Sequence, residues 1–346
     1  MKSRLESIQH LRGIAALLVV FVHFPTPLAR FCGSIGVDIF FFISGFIIFI
    51  SIDKSGYYDK PFTFLKKRLL RIIPLYFLVT TLFILMNVTL NSFHAERQAN
   101  IPVDMSFITV LKSYLFVPIT VNGYYQDPVV FLGWSLNFEM LFYLLTFILL
   151  IIFRRNFFFP LLILLFGLGG VTYIIGDFEN IYLDFLTSPF LLYFGIGLLL
   201  GKYHDFLNNK ISSFVEPLLF IVLYVFFVVM SAKDAGYTFV GMPREMVVYN
   251  GKAIPRILIW GIPSFIVLIS YFVLASKYKI TNAYLSKLGD RSYSIYLLQI
   301  FFIYLLYEVS HRFGRSEKIW LSMAMIIALA WIAGYSYKYF EKKFHR

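Results

Sequence analysis

Residues 8–23 read IQHLRGIAALLVVFVH, an apolar helical stretch broken by two groups that hydrocarbon rejects, Arg12 and His23. Eleven residues at about 100° each make three turns plus about 20°, so the two side chains share one face, about 16 Å apart along the axis. Lone ionisable groups inside a bilayer cost about 2.5–3.5 kcal/mol each on insertion scales, which makes a function the default explanation for both. A cation near one end and an imidazole near the other outline a path across a membrane. For Arg12, close to the helix start, snorkelling to the headgroups is the competing reading.

Composition says that this stretch belongs to an integral membrane protein. Hydrophobic residues make up 59% of the 346 and charged residues only 14%, where a soluble domain carries about a quarter charged. The net charge of +12 resides in short loops between apolar runs, the pattern of positive-inside topology rather than of nucleic-acid binding. One cysteine, Cys32, excludes an internal disulfide and a multi-cysteine metal site. Lys2 and Arg4 resemble the charged start of a signal peptide. No small-x-small cleavage site follows, however, so residues 8–24 read as a retained first span.

Apolar runs of about 18–20 residues predict about ten transmembrane helices, near 8–24, 34–52, 72–90, 131–153, 157–175, 184–201, 211–230, 257–274, 292–309 and 319–337. The expected fold is an all-α, polytopic membrane bundle forming one domain over residues 1–346, with no soluble C-terminal domain. With the N-terminus inside, the basic clusters Lys54 to Arg71, Arg154-Arg155, Lys277 to Arg291 and Lys338 to Arg346 all fall in inside loops. Both termini are therefore expected to be cytoplasmic. Two outside segments, 91–130 and 231–256, are long enough to form structure. Within the first, residues 106–116 have helical apolar spacing that suits a surface or cavity-plugging helix. No internal repeat is evident, which speaks against many carrier architectures.

Other polar groups gather at motif-like stretches. The second span opens GSIGVDIFFFISGF, with Asp38 at the same end as His23 and with Gly33, Gly36 and Gly45 allowing close approach of a neighbouring helix or of a ligand. In KKRLLRIIP, Arg68 and Arg71 lie three residues apart on one face beside Lys67 and can clamp phosphates, or bind anionic headgroups. The fourth span opens GWSLNFE, placing Glu139 about two turns into the apolar band, where a carboxylate needs a partner. A carboxylate beside an imidazole orients and charges a general base, so His23 with Glu139 or Asp38 forms the catalytic candidate. One histidine and two carboxylates make a weak metal set, and no metal is expected. Tyr124, Tyr125 and Trp134 can stack on a sugar or form an interfacial belt, and Ser135 and Asn137 adjoin them. Gln299, about two turns into the ninth span, fits interhelical hydrogen bonding.

The stretches IQHLRGIAALLVVFVH, GSIGVDIFFFISGF, KKRLLRIIP, WSLNFEMLFY and GDRSYSIYLLQ, in this order from the first span to the tenth, resemble the acyltransferase-3 family of integral membrane O-acyltransferases, especially its exopolysaccharide- and O-antigen-acetylating members. The Arg followed eleven positions later by His is the most specific of these marks. The resemblance implies transfer of an acyl group, usually acetyl, from cytoplasmic acetyl-CoA to a hydroxyl of a glycan or lipid-linked sugar, in a bacterial inner membrane. It implies that His23 is required and that Arg12, Arg68, Arg71, Ser44, Gly45 and Glu139 belong to activity motifs, with Lys67 beside them on the donor. Where relatives often carry His, this chain has Gln299, and the extracellular hydrolase-like domain of many members is not expected here. The expected partners are acyl-CoA, a glycan or lipid-linked sugar acceptor and membrane lipids; a homo-oligomer or polysaccharide-assembly partner stays open, and an amine or lipid hydroxyl is a competing acceptor. Two readings from other classes remain: a flippase for lipid-linked sugars, which has no reason to bind CoA, and a non-catalytic scaffold, in which His23→Ala is silent.

Overall fold

A computed structural model describes residues 2–24, 29–93, 104–121, 123–176, 178–210, 218, 238–240, 246–249, 251–310 and 314–342. Its main helices in chain order are α1 (Lys2–His23), α2 (Ala29–Ser55), α3 (Pro61–Phe93), the short α4 (Phe107–Tyr114), α5 (Gly133–Phe153), α6 (Phe158–Ile175), the short α7 (Ile181–Leu186), α8 (Phe190–Lys210), α9 (Ile262–Lys277), α10 (Ala283–Asp290), α11 (Ser292–Ser310) and α12 (Arg315–Ser336). Among the described residues, seven helices are long and apolar enough to cross a membrane. Of the ten expected spans, 8–24 is helical but is not among those seven, and 292–309 lies in an apolar helix of shorter reach. The span at 211–230 lies outside the described residues.

The all-α expectation needs one correction. A hairpin of β1 (Ile119–Val121) and β2 (Tyr124–Gln126) pairs Thr120 with Tyr125, and β3 (Thr238–Val240), β4 (Met246–Tyr249) and β5 (Lys252–Pro255) form a small antiparallel sheet. Both fall in the two long segments read as outside loops, where apolar periodicity is too short to reveal strands.

Small residues set the helix crossings. A Cβ at Gly36 would lie 2.5 Å from the Ala15 carbonyl oxygen, so α1 and α2 touch backbone to backbone. At the α2–α8 crossing, a Cβ on Gly45 would lie 2.2 Å from the Phe194 oxygen, and one on Gly197 2.2 Å from the Phe42 oxygen. Without a hydrophobic drive between helices in lipid, such close approach is how a bundle gains its packing energy. Phe41, Phe142, Phe190 and Phe194 then fill the space between α2, α5 and α8.

Two helices depart from the expected span boundaries in ways that matter. Helix α3 runs unbroken for 33 residues, about 50 Å against a hydrocarbon layer of about 30 Å. The basic turn with Arg68 and Arg71 is therefore part of the same helix as the span, not a separate loop. Helix α4 is turned inside out for a water-soluble surface helix: Thr109 and Ser113 are buried while Phe107, Ile108, Leu111 and Leu115 are exposed. That apolar outer face suits lipid.

Candidate active site

Three arginines from two helices open on one cavity. Arg12 comes from α1, Arg68 and Arg71 from successive turns of α3, and Ser44, Ser135, Glu139, Tyr143, Ser292, Tyr293 and Tyr296 complete the polar part of the described lining. Both Arg12 and Arg68 are buried, at 4% and 9% exposure. Arg12 donates to Gln9 at 3.0 Å, and Arg68 lies over the rings of Phe64 and Tyr143 at 5.6 and 6.0 Å. Among the described residues, none of the three forms an ion pair.

Glu139 is the one carboxylate on this lining. It accepts a hydrogen bond from Ser44 at 3.3 Å and a short one from Tyr143, its neighbour one turn along α5. Three guanidiniums share the lining with that carboxylate, while Glu341 and Asp290, off the lining, act on Arg12, and Glu341 on Arg71 as well. Guanidiniums held in a buried cavity without ion pairs of their own suit an anionic ligand. The cavity measures about 60 Å³, room for a slender chain rather than a nucleotide.

The remaining expected site residues are distributed otherwise. Asp38 is fully buried and accepts from Arg256 at 2.7 Å, so it is engaged by that cation and not by His23. Arg256 had no signal in the sequence beyond being one cation in a long loop; the two positions are 218 apart. His23 is half-buried, and its ring stands edge-on to Phe131 at 5.1 Å. Neither Glu139 nor Asp38 is hydrogen-bonded to it. Gly45 serves the α2–α8 crossing and does not line the cavity, and Lys67 lies outside it, over the Tyr57 ring at 5.8 Å.

Trp134 is buried among Phe41, Phe138 and Phe190, which removes it from sugar stacking. Asn137 is buried with its Oδ1 unbonded, away from the cavity. Ser135 lies on the lining and shares a hydrogen bond of 2.6 Å with Tyr296, whose hydroxyl also donates to the Leu132 oxygen at 2.6 Å. Gln299 donates to the Tyr296 carbonyl, in keeping with a structural amide. Tyr124 and Tyr125 alternate along β2: the first is 79% exposed, and the second lines another cavity. The Glu139–Tyr143 pair was readable in principle, being i and i+4 on one helix. Among the described residues no cluster of three potential metal ligands occurs.

A family model described as an acyltransferase domain matches residues 5–336. The chain is similar to the exopolysaccharide production protein ExoZ of Rhizobium meliloti (strain 1021), 32% identical over 172 residues, which cover 49% of this chain and 51% of that protein. The match therefore spans about half the length of that relative. No solved structure matches the chain.

Proposed function

This chain belongs to the acyltransferase-domain family, and on that premise we propose that it is a membrane O-acyltransferase moving an acetyl group from acetyl-CoA to a hydroxyl of a surface polysaccharide or its lipid-linked precursor. The observation that carries the reading is the cavity holding Arg12, Arg68 and Arg71 without ion pairs. Acetyl-CoA is a multiply charged anion on a slender pantetheine arm. Guanidiniums bind phosphate oxygens in a planar, bidentate way that an ammonium cannot. Lys67, exposed beside this turn of α3, adds charge for the nucleotide. The likeness to a protein named for exopolysaccharide production favours a glycan acceptor. The reading places the chain in a bacterial inner membrane, with the arginine end facing the cytoplasm and the His23 end facing out.

In this reaction the sugar hydroxyl oxygen attacks the thioester carbonyl carbon and His23 takes the hydroxyl proton. The carbon–sulfur bond then breaks, and the thiolate leaves and is protonated to CoA. Holding donor and acceptor in register supplies much of the rate by making the encounter effectively unimolecular. His23 lies three turns along α1 from Arg12, so the arm held at the arginines runs towards it over about 16 Å.

The test is glycan acetate content in cells lacking the protein, complemented with wild type or with His23→Ala at matched membrane levels. Acetate restored by the wild type alone supports the reading. Equal restoration by both removes His23 as the base, and with it the proposed chemistry.

A further inference from the structure

A second and larger cavity, of about 420 Å³, lies beyond the first and shares α3 and α11 with it. Helix α3 contributes Arg71 to the first and Phe83 to the second, twelve residues further along. The approach to α5 and its first turns contribute Phe131 to the second and Ser135 to the first, while α11 contributes Tyr296 to the first and Ile300 and Tyr304 to the second. The two spaces are thus stacked along the bundle. Between them lies the Ser135–Tyr296 pair with its link to the Leu132 oxygen. His23 packs on Phe131, a wall of the second cavity.

Among the described residues the lining is aromatic with a single available carboxylate. Phe83, Tyr125, Phe131 and Tyr304 supply rings. Asp104 also reaches the lining, but it is committed to the start of α4, accepting from the Ser106 backbone at 2.8 Å and from the Ser106 and Thr109 hydroxyls. Asp127 has no hydrogen-bond partner among the described residues and keeps an open surface towards this space. Partial burial by the surrounding protein nevertheless pushes its carboxyl up to about 6. A volume of 420 Å³ falls within the range of about 300–1,000 Å³ typical of small-molecule sites.

We infer that this second cavity is the acceptor subsite, taking one hexopyranose unit of a glycan, with Tyr125 and Phe131 against the carbon face of the ring and Asp127 accepting hydrogen bonds from its hydroxyls. Rings match the C–H face of a sugar, and one carboxylate accepts from two neighbouring hydroxyls, a combination that suits neither a phosphate nor a bare lipid chain. The inference rests on the acyl-transfer reading above. It assigns the two substrates to the two ends of the α3–α11 pair, with His23 beside the acceptor.

The test uses full-length protein in membranes of complemented cells, with two readouts: glycan acetate content and binding of radiolabelled acetyl-CoA. Asp127→Asn and Tyr125→Ala are expected to reduce glycan acetate at least tenfold while acetyl-CoA affinity stays within twofold of wild type. Val121→Ser, on the neighbouring strand and off the lining, is expected to change neither. Wild-type acetate levels in both cavity variants overturn the subsite. So does a parallel loss of acetyl-CoA binding, which would mean that these residues only hold the fold. If the wild type itself binds no acetyl-CoA, the acyl-transfer reading fails first, and the two failures are told apart by that readout.

Discussion

Arg256 donates to Asp38 at 2.7 Å with both side chains almost wholly buried, 4% and 0% exposed. The pair ties the segment entering α9 to the middle of the α1–α2 hairpin. A buried ion pair contributes little net stability over an apolar pair of the same size, but breaking one strands a charge at a cost of about 3–5 kcal/mol. Asp38→Ala and Arg256→Ala are each expected to lose most folded protein in detergent, read as monodisperse yield and thermal midpoint. The double variant Asp38→Leu/Arg256→Met should recover most of it. If the double variant is folded and still transfers acetate, Asp38 is structural; if it is folded and inactive, Asp38 has a part in the chemistry.

Gly45 lies in a motif associated with donor binding, yet its position is a helix crossing. A Cβ there would meet the Phe194 oxygen at 2.2 Å, and overpacking of this kind costs about 1–3 kcal/mol. Gly45→Ala is expected to lower the thermal midpoint, with acetyl-CoA affinity per folded molecule unchanged. A stable variant with affinity lowered tenfold would return Gly45 to the donor site.

Glu139 opposes the arginines that share its cavity. At an effective dielectric of about 20, a unit charge several ångströms away acts with about 1 kcal/mol or more. Glu139→Gln keeps an oxygen to accept from Ser44 and Tyr143 and removes the charge. Acetyl-CoA is therefore expected to bind roughly fivefold tighter at low salt, measured by equilibrium binding. Weaker binding would mean that Glu139 organises the arginines rather than competing with the anion.

Asp127 has a folded-state value near 6, above its unfolded value of about 3.9. Such a group costs stability when ionised; the cost is full above about pH 6 and vanishes as pH falls below the unfolded value. Asp127→Asn is expected to unfold at a higher temperature than wild type at pH 7.5, by an amount worth at most about 1 kcal/mol because its open surface screens the charge. The difference should close by pH 4. A variant destabilised at pH 7.5 would show that Asp127 holds a bond in the fold.

Residues whose meaning depends on periodicity were readable from the sequence, and those whose meaning depends on long-range contact were not. The shared face of Arg12 and His23, and that of Arg68 and Arg71, follow from helical spacing alone, and the structure puts three of those four on the lining of one cavity. Glycine-rich stretches left helix packing and ligand approach equally open, and at Gly36 and Gly45 helix packing accounts for the position. Two carboxylates at similar depth by count suggested a common cluster, but depth carries no information about which way a helix faces. Asp38 faces Arg256, Glu139 faces the arginine cavity, and His23 faces Phe131. Glu341, which lies among the basic residues of the tail and carries no signal of its own, is buried and accepts from Ser294. The second cavity was the least legible, because its walls come from a hairpin and from α3 and α11, segments far apart in the chain.

Binding of the acyl donor at the arginine cavity is measured by equilibrium binding of acetyl-CoA to the purified protein in lipid nanodiscs. Wild type is expected to show saturable, salt-sensitive binding that weakens at least tenfold in Arg68→Ala and in Arg71→Ala while both variants keep their wild-type elution profile. No saturable binding to wild type, or binding untouched by either substitution, would contradict donor binding at this cavity.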